Sequence, residues 1–322
     1  MMDIDIPEGR VSMRFDTKAI HAGYTPDKTT RSRAVPIYMT TAYAFENTEH
    51  ARRLFALEES GNIYTRLTNP TTDVLEKRVA ELDGGIGAVG GASGHGSMTM
   101  AFLNIAGAGD EIISAKAIYG GAVNLMAKTL GQMGIDVVFV DAHDPENFRR
   151  RTTEKTRAYF IESMGNPLAD IPDIEAIARI AHEHGIPLIV DNTEATPYLF
   201  RPIEYGADII VYSSTKFLSG NGTVMGGLVV DSGRFRWKDN PRFPDFNEPD
   251  TSYHGIVYAD AFGDAAYVTK LRAHILRDIG AVMSPFNAWV TLLGLETLSL
   301  RMRKHCDNGL KVARFLESHP MI

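Results

Sequence analysis

The run Ile209-Ile-Val-Tyr-Ser-Ser-Thr-Lys-Phe-Leu-Ser-Gly-Asn-Gly222 passes from an unbroken apolar stretch into two serines, a threonine, a lysine and a glycine-rich turn. Its opening, like Pro187-Leu-Ile-Val190, is continuously apolar rather than alternating. That pattern marks strands covered on both faces, as in parallel sheets flanked by helices. Lys216 then stands at a strand's carboxyl end, where open α/β sheets bind ligands. Hydroxyls of Ser213 and Thr215 can hold phosphate oxygens there, and a partly desolvated lysine amine is suited to Schiff-base formation. A lysine taken singly is usually a solvated surface residue, so its neighbours must decide.

Working outward, strands and helices alternate from about 70 to 232. Strands are expected at Ala88 to Gly90, Glu111 to Ala115, Asp136 to Val140, Ala158 to Glu162, Ile186 to Val190, Asp208 to Tyr212 and Gly226 to Val230. Between them, Thr71 to Asp83 reads as a helix stopped by Gly84-Gly85, with Val74, Leu75, Val79 and Leu82 as its apolar stripe. Further helices are expected over Gly94 to Ile105, Gly121 to Met133 and Asp173 to His184, the last burying Ile174, Ile177, Ala178 and Ala181. Right-handed crossovers would put every strand's carboxyl end on one side. Residues 1–68 read as an extended arm with one short helix near Glu49 to Leu57, lying on another subunit. After the aromatic, proline-rich stretch Trp237 to Phe246, helical patterns dominate from Asp260 to Ser318.

Composition narrows the function. The 322 residues are 44% hydrophobic and carry a net charge of -7, which argues against nucleic acid or an anionic membrane as partner. The local run Arg149-Arg-Arg151 reads as a solvated turn. No apolar stretch reaches membrane-spanning length and no secretory leader is expected at Met1 to Arg10. The single cysteine, Cys306, suits a reducing compartment and is a weak nucleophile candidate. A cytoplasmic location is expected.

Three further features fall at strand ends. Asp191 directly follows Ile186 to Val190; it can cap a turn, or it can keep a pyridine nitrogen protonated and so keep the ring an electron sink. Ala92-Ser-Gly-His-Gly-Ser97 opens a helix, where Ser93 can cap and the amides of Gly94 and His95 can meet an anion. His95 has no second ligand at helical spacing, so metal is rejected. Tyr119, in Ile118-Tyr-Gly-Gly121, can be a simple surface aromatic or can stack on a flat cofactor and move a proton.

Together with Tyr64-Thr-Arg-Leu-Thr-Asn-Pro-Thr71, Glu162-Ser-Met-Gly-Asn-Pro167, Val190-Asp-Asn-Thr193 and Ser213-Ser-Thr-Lys-Phe217, these motifs resemble those of the cysteine/methionine-metabolism pyridoxal-phosphate enzymes. The likeness runs from Thr17 onward. It implies the aspartate-aminotransferase type of fold, with a mostly parallel seven-stranded sheet flanked by helices. It implies three parts: an arm over 1–68, a large domain over 69–258 that binds pyridoxal 5'-phosphate, and the start of a smaller C-terminal α+β domain over 259–322. By resemblance Lys216 links to the cofactor, Asp191 pairs with its ring nitrogen and Tyr119 stacks on the ring. Ser93, Gly94, His95, Ser213 and Thr215 would hold the phosphate, with Tyr64 and Arg66 reaching in from a neighbouring subunit of a homotetramer. Asn166 would lie near the cofactor hydroxyl and the substrate carboxylate.

Segments 242–255, 276–287 and 293–302 most resemble the O-acetylhomoserine sulfhydrylase branch, which implies γ-replacement by sulfide or a small thiol. The γ-lyases of this family usually place a cysteine where this chain has Gly121. A γ-lyase, a cystathionine γ-synthase type of reaction and a non-catalytic cofactor-binding assembly subunit are the alternatives. Two departures stand out. Glu194 occupies a place where the family is usually aromatic or apolar, and it is expected to face solvent. The family's carboxylate-clamping arginine has no counterpart before Ile322, and Arg301, Arg303 and Arg314 are not obvious substitutes.

Overall fold

The computed structural model describes residues 13–322; the expected acidic lead at Met1 to Arg10 and the outermost part of the arm lie outside the described residues. Seven strands form one sheet in the order β1-β7-β6-β5-β4-β2-β3. They span Gly87–Gly91 (β1), Glu111–Ala115 (β2), Asp136–Val140 (β3), Thr156–Glu162 (β4), Leu188–Asp191 (β5), Ile209–Tyr212 (β6) and Gly227–Asp231 (β7). Each expected strand is present, shifted by at most a few residues at its ends. The central β5 and β6 are sealed on both faces: Leu188, Ile189, Val190, Ile209, Ile210 and Val211 are all no more than 1% exposed. Double burial therefore accounts for their unbroken apolar runs.

One expectation about direction fails. β7 runs antiparallel to both β1 and β6, so its amino end, not its carboxyl end, shares the edge with the other strands' carboxyl ends. The cause is the connection. Residues 213–226 carry no crossover helix, and a chain that turns back without a crossover can only pair antiparallel. The same edge thus receives the end of β6, the start of β7 and the whole lysine-bearing loop between them.

The helix Pro70–Asp83 starts on an Asn69 cap with proline in its first turn and ends on Gly84 at φ 79°. All four residues of its expected stripe are buried, and so are Glu76, Arg78 and Asp83, which the pattern did not flag. The arm is less extended than its composition suggested. Phe15–His21 is a helix, and Ala19 and Ala22 are buried. Buried Arg78 clamps it by donating from Nε to the Ala22 carbonyl at 2.9 Å. Arg149-Arg-Arg151 is not a turn but the end of the helix Glu146–Arg151. Arg149 pairs there with Glu146 and Glu183, and Arg150 with Asp144, so acidic neighbours satisfy two of the three arginines. The helices after 258 pack back on the sheet layer and end with Leu298–Glu317, which carries exposed Cys306. Among the described residues no helix is long and apolar enough to cross a membrane.

Beneath the carboxyl edge runs a buried polar chain. Tyr212 donates to Asp83 Oδ1 at 2.7 Å and accepts from Asn192 Nδ2 at 3.0 Å, while Ser163 donates to Asn192 Oδ1 at 2.8 Å. Burial pushes the Asp83 carboxyl up to about 7, against the pull of the Tyr212 hydroxyl. Removing that hydroxyl strands two buried groups. Tyr212→Phe is expected to cost about 1–3 kcal/mol of unfolding free energy in a denaturant titration. The loss should be larger at pH 8 than at pH 6, because only an ionised Asp83 loses a charge-assisted bond. A loss below experimental error at both pH values would contradict this role.

Candidate active site

At the carboxyl edge a cavity of about 310 Å³ opens, with Lys216, Asp191, Glu162 and the first turn of the helix Gly94–Leu103 in its walls. The anion-binding wall comes first in chain order. Ser93 adopts extended backbone and caps the helix, accepting from the Gly96 amide at 3.0 Å. The amides of Gly94 and His95 have no acceptor inside the helix and sit at its positive end. A Cβ at Gly94 would lie 2.6 Å from the Ser213 Cβ, so only glycine lets this helix start approach the loop after β6. Free amides, the Ser213 side chain and a close glycine form a cradle whose donor set fits a phosphate. Thr215 also lines the cavity, but its hydroxyl donates to the Gly226 carbonyl at 3.2 Å and accepts from the Gly226 amide at 3.1 Å. It closes the lysine loop on itself.

The opposite wall is organised by two carboxylates. Glu162 and Asp191 are register partners at the ends of adjacent parallel strands, so their side chains share one face of the sheet. Both oxygens of Glu162 are used: Oε1 accepts the Tyr119 amide at 2.8 Å and Oε2 the Asn166 amide at 3.0 Å. One carboxylate therefore fixes the two loops that carry Tyr119 and Asn166. Asp191 Oδ1 accepts the Thr193 amide at 2.9 Å. Desolvation raises Asp191 to about 6 and Glu162 to about 7; Thr193 opposes the first shift, and the Asp191 charge adds to the second. A cationic ring nitrogen beside Asp191 would relieve the strain on both.

Tyr119 is half-exposed and tilted 30° to the His95 ring, with centroids 5.8 Å apart. Gly121 makes room for that pose, since a Cβ there would overlap the Tyr119 ring edge and come within 2.9 Å of the His95 ring. Nine expected site residues, Ser93, Gly94, His95, Tyr119, Asn166, Asp191, Ser213, Thr215 and Lys216, thus line one cavity. Tyr64 and Arg66 do not. Tyr64 is exposed, Arg66 stacks 5.4 Å over its ring and donates to the Arg277 carbonyl.

Glu194 corrects an expectation. It lines the cavity rather than facing solvent, and its charge raises both Asp191 and Glu162. The short turn after β5, tied by Thr193, directs it inward. Glu162 was visible in a motif but given no role, although the strand-end rule that selected Asp191 applies to it equally. Among the described residues no three His, Cys, Asp or Glu side chains converge on a possible metal position.

Comparisons with known proteins identify the chain's relatives. A family model described as Cys/Met metabolism PLP-dependent enzyme matches residues 16–322. An O-acetyl-L-homoserine sulfhydrylase of Leptospira meyeri is 52% identical over 315 residues, covering 95% of this chain and 71% of the relative. A homocysteine synthase of Schizosaccharomyces pombe is 48% identical over 313 residues, covering 97% of this chain and 73% of the relative. Among solved structures, a putative O-acetylhomoserine (thiol)-lyase of Campylobacter jejuni with N'-pyridoxyl-lysine-5'-monophosphate superposes with a TM-score of 0.93. It is 42% identical, with 96% of this chain and 76% of that one covered.

The raised carboxylates set a pH dependence for the cofactor-free protein. Their folded values lie above the unfolded ones, so their stabilising contribution is complete below about pH 4 and is lost as pH rises through about 6 and 7. Asp191→Asn removes one of these costs. Between pH 5 and 8 the variant's melting temperature should fall less than the wild type's, and an unchanged pH slope would contradict the burial of that charge.

Proposed function

The chain belongs to the Cys/Met metabolism PLP-dependent enzymes, and on that premise we propose that it catalyses γ-replacement on O-acetyl-L-homoserine. Sulfide or a small thiol replaces acetate, giving homocysteine or methionine. The observation that carries the reading is the convergence of Lys216, Asp191 and the Ser93–Gly94 helix start on one cavity, in a chain about half identical to named sulfhydrylases.

Pyridoxal phosphate, when bound, supplies an electron sink for charge developing on the substrate carbons. The chain's residues do the rest. The amides of Gly94 and His95, with Ser93 and Ser213, bind the phosphate, and Thr215 joins them only by turning its hydroxyl away from the Gly226 carbonyl. Tyr64 and Arg66 of a neighbouring copy add to that grip. Asp191 stays ionised against the ring nitrogen, and Lys216 anchors the cofactor. The freed Lys216 amine takes the proton from the substrate α-carbon and moves one at the β-carbon. Tyr119, lining the cavity beside His95, would face the cofactor ring and would donate its hydroxyl proton to the departing acetate oxygen. Asn166, held by Glu162, orients the cofactor hydroxyl and the substrate carboxylate. Met98, Met164 and Met225 give the cavity apolar wall that disfavours water.

This reading assigns residues 1–68 to contact with a neighbouring subunit, 69–258 to cofactor binding and 259–322 to a C-terminal small domain. It implies a cytoplasmic homotetramer with sites shared between copies. Gly121 favours γ-replacement over γ-elimination only by resemblance, since the γ-lyases of the family usually carry a cysteine at this place.

Supplied with O-acetylhomoserine and sulfide, the enzyme is expected to release homocysteine and acetate. Methionine alone should yield little 2-oxobutyrate. Lys216→Ala should lower the first rate by about 10²–10⁴-fold. Faster 2-oxobutyrate release than homocysteine formation would identify a γ-lyase, and no turnover with the cofactor bound would identify an assembly subunit.

A further inference from the structure

Arg301 is no obvious clamp for a substrate carboxylate, and its guanidinium is committed to backbone carbonyls. From the helix Leu298–Glu317 it reaches the loop that carries Lys216. Nη1 donates to the Phe217 carbonyl at 2.7 Å, and Nη2 donates to the Gly294 carbonyl at 2.7 Å and lies 3.5 Å from that of Leu218. Nε completes the set on Thr297 Oγ1 at 3.1 Å. A guanidinium is all donor, and here its donors go to carbonyls and a hydroxyl; no carboxylate pairs with it among the described residues. Carbonyls so gripped are held in position more firmly than a neutral donor could hold them.

Two glycines and an asparagine show that this contact is built. Gly220, at φ 67°, lies so close to the guanidinium that a Cβ there would overlap it. Gly294, in the helix Pro285–Glu296, backs directly onto the carbonyls of Leu218 and Ser219, and a side chain there would collide with both. At the loop's far end Asn287 Nδ2, from that same helix, donates to the Met225 carbonyl at 2.9 Å. The loop is thus gripped at 217–219 and at 225 by one helical pair, while the Thr215–Gly226 bonds close its neck. Lys216 immediately precedes the first gripped residue.

We propose that Arg301 is a positioning residue for Lys216, holding the Phe217–Gly220 backbone so that the lysine amine meets the cofactor. This rests on the reading of Lys216 as the cofactor-linking amine. The competing account makes Arg301 a staple between helix and loop that affects stability alone. A misplacement of about 1 Å can lower a reaction rate by about a hundredfold, so the two accounts diverge measurably.

The test uses the full chain as wild type, Arg301→Lys, Arg301→Ala, Asn287→Ala and Lys216→Ala. Each is stripped of cofactor and mixed with pyridoxal phosphate. The readouts are the rate at which the visible imine band appears, the pH midpoint of that band, and the melting temperature. Arg301→Ala is expected to slow linkage by about tenfold to a hundredfold and to raise the midpoint, because a loosened lysine is better hydrated in its protonated imine. Arg301→Lys, which keeps the charge and one donor, should fall between it and wild type. Asn287→Ala should act in the same direction more weakly. A lowered melting temperature with unchanged rate and midpoint would overturn the proposal. If Arg301→Ala does not fold, Arg301→Lys decides by the same criteria. An imine band that persists in Lys216→Ala would instead refute the Lys216 reading.

Discussion

Glu162 and Asp191 end adjacent parallel strands in register, and neither strand supplies a cation to offset them. Burying two carboxylates side by side is costly unless each is compensated. Glu162 is partly compensated by the amides of Tyr119 and Asn166, which pins the loops after β2 and β4 to the strand edge. Asp191 has one backbone amide, from Thr193, and its carboxyl stays raised to about 6 by burial. The site's shape follows from that requirement: one carboxylate consumes backbone donors to place residues, and the other, in the proposed reading, would face the cofactor ring.

The second structural decision is the missing crossover between β6 and β7. It reverses β7, brings its glycine-led start beside the helix Gly94–Leu103 and leaves a long loop at the edge where chemistry is concentrated. Such a loop would be mobile if tethered only at its ends. Thr215 ties its neck, and the helices Pro285–Glu296 and Leu298–Glu317 hold its outer face. The C-terminal helices are therefore mechanically continuous with the lysine, although they lie outside the sheet that defines the fold.

Much of this was legible in the sequence, for identifiable reasons. Unbroken apolar runs at Pro187 to Val190 and Ile209 to Tyr212 revealed strands covered on both faces, because periodicity reports burial. Ser93, Asp191 and Lys216 were found by a positional rule about strand and helix ends. The direction of β7 was not legible, because a strand's apolar content carries no sign; only the lack of a helical pattern in 213–226 hinted at it. Glu194 was misjudged, and the loop-holding contacts of Arg301 were not legible, for a related reason. Where a long polar side chain points depends on the turn or helix beneath it, and residue type alone leaves that open. The helix Phe15–His21 was missed because its stability comes from docking on Pro70–Asp83, a tertiary effect.

The central claim is that Lys216, among all lysines of the chain, carries the cofactor. Buried Lys270 is the instructive rival: desolvation lowers it to about 8, which favours a neutral amine, but its Nζ is occupied by the Asn104 carbonyl at 2.7 Å and it lies outside the cavity. Reducing the cofactor-loaded protein with borohydride and mapping the modified peptide by mass spectrometry discriminates between them directly. A single phosphopyridoxyl group on Lys216 is the predicted result. Modification of Lys270 or another lysine, with Lys216 unlabelled, would contradict the account.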